Sequence, residues 1–158
     1  MKNKRQQHWE KVYANKAGKQ VSWTEQRPET SLKFIEGFHL DKTAAIIDVG
    51  GGDSTLVDCL LQHGYADITV LDVSATALEN AKKRLGPLAK SVTWIVSDIT
   101  HFKPARSYDV WHDRATFHFL TTKAQIEKYL SIARKCVKQF FTIGTFSNNG
   151  PDMCSGLH

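Results

Sequence analysis

The chain has 158 residues, of which 41% are hydrophobic and 23% charged, a composition typical of one folded globular domain. No apolar run approaches the length of a membrane span, and the basic start Met1–Arg5 is not followed by the apolar core of a signal peptide. We therefore expect a soluble, cytoplasmic protein without a membrane partner. The formal net charge is +5, but the lysines and arginines are spread over several segments, which disfavours nucleic-acid binding.

The three cysteines, Cys59, Cys136 and Cys154, lie far apart and form no C-x-x-C pair. This spacing indicates neither a disulfide framework nor a metal site. Cys59 and Cys136 fall on the apolar stripes of predicted helices, where we expect them to be small core residues.

Residues 1–27 form an N-terminal segment that contains several aromatic side chains. Gln6–Asn15 has the apolar spacing of an amphipathic helix that includes Trp9, and a polar stretch then leads to Trp23. These aromatic residues serve either as ordinary packing or as a lid that keeps water out of a site. Pro28 suits the first turn of the next helix.

A predicted strand and a glycine cluster follow this second helix. Ala44–Val49 is apolar except for Asp48, as expected of a parallel strand that is buried on both faces. Three glycines come next, Gly50, Gly51 and Gly52. Glycine permits positive φ angles and lets a ligand approach the bare backbone closely.

A helix is predicted to begin directly after the glycines, capped by Ser54 or Thr55. A strand, a glycine turn and a helix start together predict a cofactor crevice. A dinucleotide fingerprint needs G-x-G-x-x-G. Gly50 and Gly52 match its first two glycines, but Thr55 stands at the third position, and Asp48 would repel a pyrophosphate.

The second predicted strand, Ile68–Asp72, ends in an acid. Asp72 lies 24 positions after Asp48 (72 minus 48), close to the spacing of about 20 residues at which a strand-end acid binds a ribose. A carboxylate there can accept hydrogen bonds from both ribose hydroxyls. The alternative is that Asp72 caps the helix Ala75–Leu85, a role for which Ser74 is equally suited.

The remaining elements repeat the alternation of strands and helices. A third strand, Val92–Val96, leads to Asp98, which is either a ligand-binding acid or an ordinary turn residue. Tyr108–Asp113 is the fourth strand, the pair Thr122 and Gln125 forms a capping box for a helix, and Phe140–Phe146 is the fifth strand.

The order β-α-β-α-β-loop-β-α-β predicts an α/β fold with a doubly wound, mostly parallel sheet and helices on both faces. Four acids fall at or near the carboxyl ends of successive strands: Asp48, Asp72, Asp98 and Asp113. In this architecture, ligands bind at that edge of the sheet.

The sequence D-V-G-G-G-D-S resembles motif I of the class I S-adenosylmethionine-dependent methyltransferases, [DE]-x-G-x-G-x-G, with Ser54 at the last glycine. The pair Asp98-Ile99 is similar to that family's adenine-binding pair, in which the acid accepts from the exocyclic amine and the apolar residue covers the ring. The resemblance extends from Trp9 to about Asn149. It implies S-adenosylmethionine as cofactor and S-adenosylhomocysteine as product. The cofactor-binding residues that it implies are Asp48, Gly50, Gly51, Gly52, Asp72, Val73, Asp98, Ile99, Asp113 and Trp23.

In that family the fifth strand is followed by a helix and two antiparallel strands that complete a seven-stranded sheet. This sequence stops at His158. We therefore expect residues 28–158 to form the cofactor-binding α/β domain without its C-terminal strand pair, either as a fragment or by nature. The resemblance then implies that part of the substrate pocket is lost as well.

The methyl acceptor is less constrained than the cofactor. The segment [DNS]-P-P-[YFW], typical of enzymes that methylate base amines, is missing after the fourth strand, and there is no Pro-Cys dipeptide for cytosine methylation. Trp111–Phe117 looks like the W-D-R-[GA] segment of thiopurine methyltransferases and the D-[KR]-G-T-[FL] segment of elongation-factor lysine methyltransferases. We predict a small-molecule nucleophile such as a thiol. The alternatives are a protein lysine, a catalytically silent methyltransferase-like module and, least favoured, an NAD(P)-dependent oxidoreductase.

A thiol must ionise and a lysine must be neutral before methyl transfer, so a nearby base helps. The candidates by position are His112, Asp113 and His118, and no metal is predicted. Each has a structural alternative: His112 as a satisfied strand histidine, Asp113 as an ion-pair partner of Arg114, and His118 as a packing residue. Positioning alone can supply most of the rate.

Overall fold

A parallel sheet organises the molecule. The computed structural model describes residues 4–15, 25–114 and 116–145, and within them five strands occur. They are β1 Ala45–Val49, β2 Asp67–Asp72, β3 Val92–Val96, β4 Tyr108–Arg114 and β5 Val137–Gly144. Their order in the sheet is β3-β2-β1-β4-β5, and every neighbouring pair is parallel. The chain thus reverses its winding direction between β1 and β4, which confirms the predicted doubly wound fold and places a crevice at the carboxyl ends of these two strands.

The helices connect the strands and cover the sheet. They are α1 Lys4–Asn15, α2 Glu29–Gly37, α3 Leu56–Gln62, α4 Ala75–Leu85 and α5 Lys123–Cys136. The described residues also contain the short 3-10 segments Gly86–Ser91, Ile99–His101 and Phe117–Phe119. The connection between β3 and β4 contains a 3-10 segment and a loop rather than an α-helix, as the sequence predicted.

The central strands of the sheet are buried on both faces. On one face Ile46 of β1 packs with apolar side chains of α2, α3 and α4, and on the other Ile47 packs with Trp111 of β4 and with α5. Side chains alternate between the faces of a strand, so a strand that is covered on both sides needs apolar residues at consecutive positions. This requirement explains the nearly uninterrupted apolar sequence of β1.

Most predicted boundaries agree with the structure to within one residue. The capping box of α5 is present, since the Thr122 side chain accepts from the Gln125 backbone and the Gln125 side chain accepts from that of Thr122. The prediction for the fifth strand was wrong at its start: β5 begins at Val137, directly after α5, and not at Phe140. Val137 pairs with Tyr108 of β4, and this long-range pairing overrides the helical spacing of the local sequence. Phe146 lies outside the described residues.

Cys59 and Cys136 are buried in the core, as predicted, while Cys154 lies outside the described residues. Among the residues that the structure describes, no helix combines the length and the apolar character needed to cross a membrane. The same residues contain no group of three or more side chains placed to hold a metal ion.

Candidate functional site

The glycine loop between β1 and α3 has the backbone conformation that only glycine adopts without strain. Gly50 has φ 70° and Gly52 has φ 49°, both in the left-handed region. The Gly50 N–H donates to the Leu71 carbonyl of β2 at 2.7 Å, which fixes the loop across the ends of two strands. A Cβ atom at Gly50 would overlap the Thr116 hydroxyl oxygen. Both conformation and space therefore require glycine at position 50.

Gly51 lies directly over the acid of β1. A Cβ atom at Gly51 would lie 2.6 Å from Asp48 Oδ2 and 2.7 Å from Val70 Cγ1, closer than carbon atoms approach either group. Asp48 itself is only 4% exposed. The loop and the strand acid thus form one packed unit, and the missing side chain at position 51 is what lets the carboxylate reach the loop.

Asp48 is hydrogen-bonded to a histidine on the neighbouring strand. His112 Nδ1 lies 2.7 Å from Asp48 Oδ1, and His112 Nε2 lies 2.9 Å from the Ser31 hydroxyl of α2. His112 and Ser31 are each 5% exposed. The predicted base His112 is therefore placed beside the glycine loop, but both of its ring nitrogens are engaged with protein groups.

Asp72 ends β2 and lies next to the glycine loop. Its Oδ1 accepts from the Ser74 N–H at 2.7 Å, and its Oδ2 lies 3.1 Å from the position of a Cβ atom at Gly52. Burial raises its pKa from 3.8 to about 7, and the charge of Asp48 acts in the same direction. Ser74 caps α4, because its hydroxyl accepts from the Ala77 N–H. A buried carboxylate beside a left-handed glycine is suited to accept hydrogen bonds from a ligand that enters the crevice.

The raised pKa of Asp72 leads to a pH-dependent stability. The folded protein binds this proton more tightly than the unfolded chain, so the stabilising contribution is complete below about pH 4 and is lost as the pH rises through about 7. We expect the unfolding free energy of the wild type, relative to Asp72→Asn, to fall by up to about 1.4 kcal/mol per pH unit over this range. Urea unfolding at several pH values measures the difference, and parallel curves for the two proteins would contradict the burial of this carboxyl group.

Asp98 and Ile99 follow β3. Asp98 is a turn residue in the structure, which is the alternative that the sequence left open. Its Oδ1 accepts from the Thr100 N–H at 2.9 Å and from the Thr100 hydroxyl at 2.7 Å, which caps the 3-10 segment Ile99–His101. Ile99 is buried, and Val73, after β2, is partly buried. Asp98 Oδ2 lies 3.5 Å from the guanidinium of Arg5. The third strand-end acid is thus in contact with α1.

Helix α1 lies along the carboxyl edge of the sheet and contacts it at several points. Arg5 pairs with Asp98 and also donates to the Phe119 carbonyl at 3.3 Å. Trp9 packs edge-to-face on Phe119, with 5.1 Å between the ring centroids. A Cβ atom at Gly52 would lie 2.6 Å from the Tyr13 hydroxyl oxygen. The described part of the N-terminal segment therefore covers the ends of β2 and β3 and the glycine loop.

Glu10 of α1 is hydrogen-bonded to the start of α4. Its carboxylate accepts from the Ala75 N–H at 2.9 Å, from the Thr76 N–H at 3.3 Å and from the Ser74 hydroxyl at 3.3 Å. Although burial opposes the charged form, the hydrogen bonds from Thr76, Ala75 and Ser74 lower the pKa of Glu10 overall. A carboxylate on the free N–H groups of a helix start is stabilised by those groups and by the helix dipole.

We expect Glu10→Gln to loosen α1 from the sheet edge, because the neutral amide accepts more weakly from the N–H groups of α4. Helix caps contribute about 1 kcal/mol, so the backbone amides of α1 are expected to exchange with solvent about 5-fold faster. Hydrogen exchange measures this effect. Glu79→Gln on the exposed face of α4 is the control, since Glu79 pairs with Lys82 of its own helix. Equal exchange of α1 in both variants would contradict the role of Glu10.

Asp113, the fourth strand-end acid, is hydrogen-bonded within the protein. Asp113 has no exposed surface, and its Oδ1 accepts from the Thr116 N–H at 2.8 Å while its Oδ2 accepts from the Tyr129 hydroxyl at 2.6 Å. Burial raises its pKa to about 6. Both of its oxygens are thus engaged within the protein, and its contact with cofactor or reactants stays a prediction. Asp113 holds the loop that carries Thr116 over Gly50, and Arg114 pairs with Glu25 rather than with Asp113.

His118 lies on the 3-10 segment that contacts α1. It is partly buried, and its ring packs on Phe119 with 4.1 Å between the centroids. Burial lowers its pKa, so the ring is uncharged at neutral pH. Trp23, the other predicted contributor to the lid and to cofactor binding, lies outside the described residues.

Three strand ends, a left-handed glycine loop and a covering helix thus lie together at one edge of the sheet. The family profile described as "Methyltransferase domain" matches residues 46–139, which is more than half of the chain and runs from β1 to the start of β5. The chain belongs to this methyltransferase family. The match begins at β1 and includes the glycine loop, Asp72, Asp98 and His112.

Curated relatives of this methyltransferase domain act on different acceptors. A malonyl-[acyl-carrier protein] O-methyltransferase of Anoxybacillus flavithermus is 34% identical over 82 residues, which is 51% of this chain and 30% of the relative. The eEF1A lysine and N-terminal methyltransferase of Mus musculus is 25% identical over 118 residues, 73% of this chain and 16% of the relative. The chain spans less than a third of the length of either relative.

Solved structures share the fold of this methyltransferase domain. A DhpI–SAM–HEP complex superposes with a TM-score of 0.71 over 92% of this chain and 66% of that protein, at 12% identity. The glycopeptide N-methyltransferase MtfA with bound S-adenosylmethionine superposes with a TM-score of 0.61 over 77% of this chain and 55% of that protein, at 16% identity. At sequence identities this low, the similarity supports only a shared fold. That fold is the one of the class I methyltransferases.

Proposed function

We propose that this chain binds S-adenosylmethionine and transfers its methyl group to a small-molecule nucleophile such as a thiol. The observation that carries the proposal is the pair formed by Gly52 and Asp72: a left-handed glycine next to a buried strand-end carboxylate, at the edge where doubly wound sheets bind ligands. This arrangement fits a ribose, whose two hydroxyls both donate to a carboxylate.

The residues of the crevice fit the proposed cofactor in chemistry. Gly50 and Gly52 give the loop its left-handed turns, and Asp72 lies beside Gly52 as the acceptor proposed for the ribose. Asp98 and Ile99 follow β3, on the side proposed for the adenine. When bound, S-adenosylmethionine supplies a methyl group that its sulfonium already activates. The protein then needs mainly to align a nucleophile and to exclude water.

The position of helix α1 supports a division of the chain into two segments with different roles. We assign residues 1–27 to a lid and residues 28–158 to the cofactor-binding domain. The contacts of Arg5, Glu10 and Trp9 with Asp98, Ala75 and Phe119 support this assignment, since a lid over the crevice would need α1 at that edge. A crevice closed by such a lid would favour an acceptor that enters whole over one presented on a large protein surface.

His118 is the residue that we propose as the base, if the acceptor needs one. It is uncharged at neutral pH because burial lowers its pKa, so its ring can accept the proton of a thiol or an ammonium group. It adjoins Phe119, which contacts Arg5 and Trp9 of α1. The proposed acceptor side of the crevice therefore lies between α1 and the 3-10 segment Phe117–Phe119.

A protein lysine is the second candidate acceptor. It is favoured by the mouse eEF1A lysine and N-terminal methyltransferase, whose similarity extends over 73% of this chain. Transfer of labelled methyl groups from S-adenosylmethionine to a panel of small thiols and carboxylic acids, and to lysine-rich proteins, separates the two. Labelling of a small thiol supports the proposal, labelling of protein alone supports the second candidate, and cofactor binding without any labelling supports a silent module.

A further inference from the structure

A buried chain of three polar side chains connects α2, β4 and β1 under the glycine loop. Ser31, His112 and Asp48 are each 5% exposed or less, and they are joined by contacts of 2.9 Å and 2.7 Å. Ser31 and Asp48 are far apart in sequence from His112, so the connection forms only in the folded sheet. Buried polar groups that are fully hydrogen-bonded fix one side-chain arrangement.

The chemistry of the three groups sets the direction of the hydrogen bonds. A carboxylate only accepts, so Nδ1 of a neutral His112 ring carries the hydrogen and donates to Asp48 Oδ1. Nε2 is then an acceptor, and the Ser31 hydroxyl donates to it. Both nitrogens are thus used within the protein, and neither is available to take a proton from a methyl acceptor.

Because His112 holds Oδ1, the position of the second carboxylate oxygen of Asp48 is set as well. Oδ2 points to Gly51, where it would lie 2.6 Å from a Cβ atom. Rotation of the carboxylate about its last bond would break the bond to His112 and alter its contact with the glycine loop. The histidine therefore fixes how the strand acid meets the loop.

We propose that His112 is a positioning residue that acts through Asp48, with Ser31 holding the ring from α2. The inference rests on the proposed function, because the loop that Asp48 supports is the proposed cofactor cradle. It replaces the sequence prediction of His112 as a catalytic base. It also assigns α2 a part in the site, since Ser31 of that helix sets the ring's second hydrogen bond.

Two amide substitutions separate the two hydrogen bonds of His112. In His112→Asn the amide nitrogen stands in for Nδ1 and can still donate to Asp48, whereas in His112→Gln the amide stands in for Nε2 and reaches only toward Ser31. Both are neutral and smaller than the ring, and they differ from each other by one methylene group. Hydrogen bonds to charged groups correspond to about 10-fold or more in affinity.

Calorimetric titration with S-adenosylhomocysteine and thermal unfolding are measured for both variants and for Ser31→Ala. We expect His112→Asn to bind within about 3-fold of the wild type and His112→Gln to bind about 10-fold more weakly at a similar Tm. Equal losses in the two variants, or losses that follow Tm, would overturn the inference. A folded wild type that binds no S-adenosylhomocysteine would instead overturn the proposed function.

Nitrogen NMR of the histidine side chains gives a readout that needs no cofactor. We expect His112 to carry its proton on Nδ1 in the wild type and Ser31→Ala to shift the Nε2 resonance. A His112 ring that is protonated on Nε2 alone would contradict the hydrogen-bond directions on which the positioning role depends.

Discussion

Asp72→Ala is expected to weaken the binding of S-adenosylhomocysteine by at least about 100-fold, because two charge-assisted hydrogen bonds to the ribose would be lost. The protein should stay folded, since the substitution removes a carboxyl group whose burial already raises its pKa to about 7. Asp72→Asn keeps the shape and one acceptor, so we expect an intermediate affinity. Calorimetric titration measures all three proteins.

Asp67→Asn is the matched control for Asp72. Asp67 begins the same strand, β2, at the opposite edge of the sheet, where it pairs with Arg106. We expect unchanged affinity in this variant. If Asp72→Ala binds S-adenosylhomocysteine as tightly as Asp67→Asn, Asp72 is not the ribose-binding acid and the assignment of the crevice is wrong.

The second large effect is expected for Gly50→Ala. Gly50 has φ 70°, a conformation that costs an L-residue about 1–2 kcal/mol, and the new methyl group would overlap the Thr116 hydroxyl. Thr116 is itself held by Asp113 and donates to the Val49 carbonyl at 3.2 Å, so it cannot move away freely. We expect a loss of at least about 3 kcal/mol in the free energy of unfolding, measured in urea.

Two variants separate the causes of this loss. Gly37→Ala, in α2, has no atom within 4 Å of the new methyl group, and we expect stability that is unchanged or slightly increased. Thr116→Ala in the Gly50→Ala background removes the overlapping oxygen and should restore part of the stability, while the cost of the positive φ remains. No restoration would show that Thr116 is not the obstacle.

The amino-acid sequence alone predicted the elements that depend on local patterns. The apolar run of β1 and the glycines after it are adjacent in the chain, and their structure follows from burial on both faces and from backbone freedom. The capping box of α5 involves residues three positions apart. The carboxyl ends of parallel strands share one edge, which is why Asp48, Asp72 and Asp98 could be placed together before the fold was known.

The parts that the sequence did not predict depend on contacts between distant segments. Glu10 is 65 residues from Ala75, and Ser31 is 81 residues from His112, so no local spacing indicates either contact. Asp113 was assigned to the crevice because it ends a strand, yet Tyr129 of α5 and the backbone of Thr116 take up its oxygens. Strand position gives the edge on which a side chain lies but not the partner to which it turns.

The most direct test of the proposed function is isothermal calorimetry of the folded chain with S-adenosylhomocysteine, S-adenosylmethionine and NAD. We expect the first two to bind with micromolar affinity, about −8 kcal/mol, and NAD to give no heat of binding. A folded chain that binds NAD and neither sulfur nucleoside would contradict the assignment of Asp72 and the glycine loop to S-adenosylmethionine.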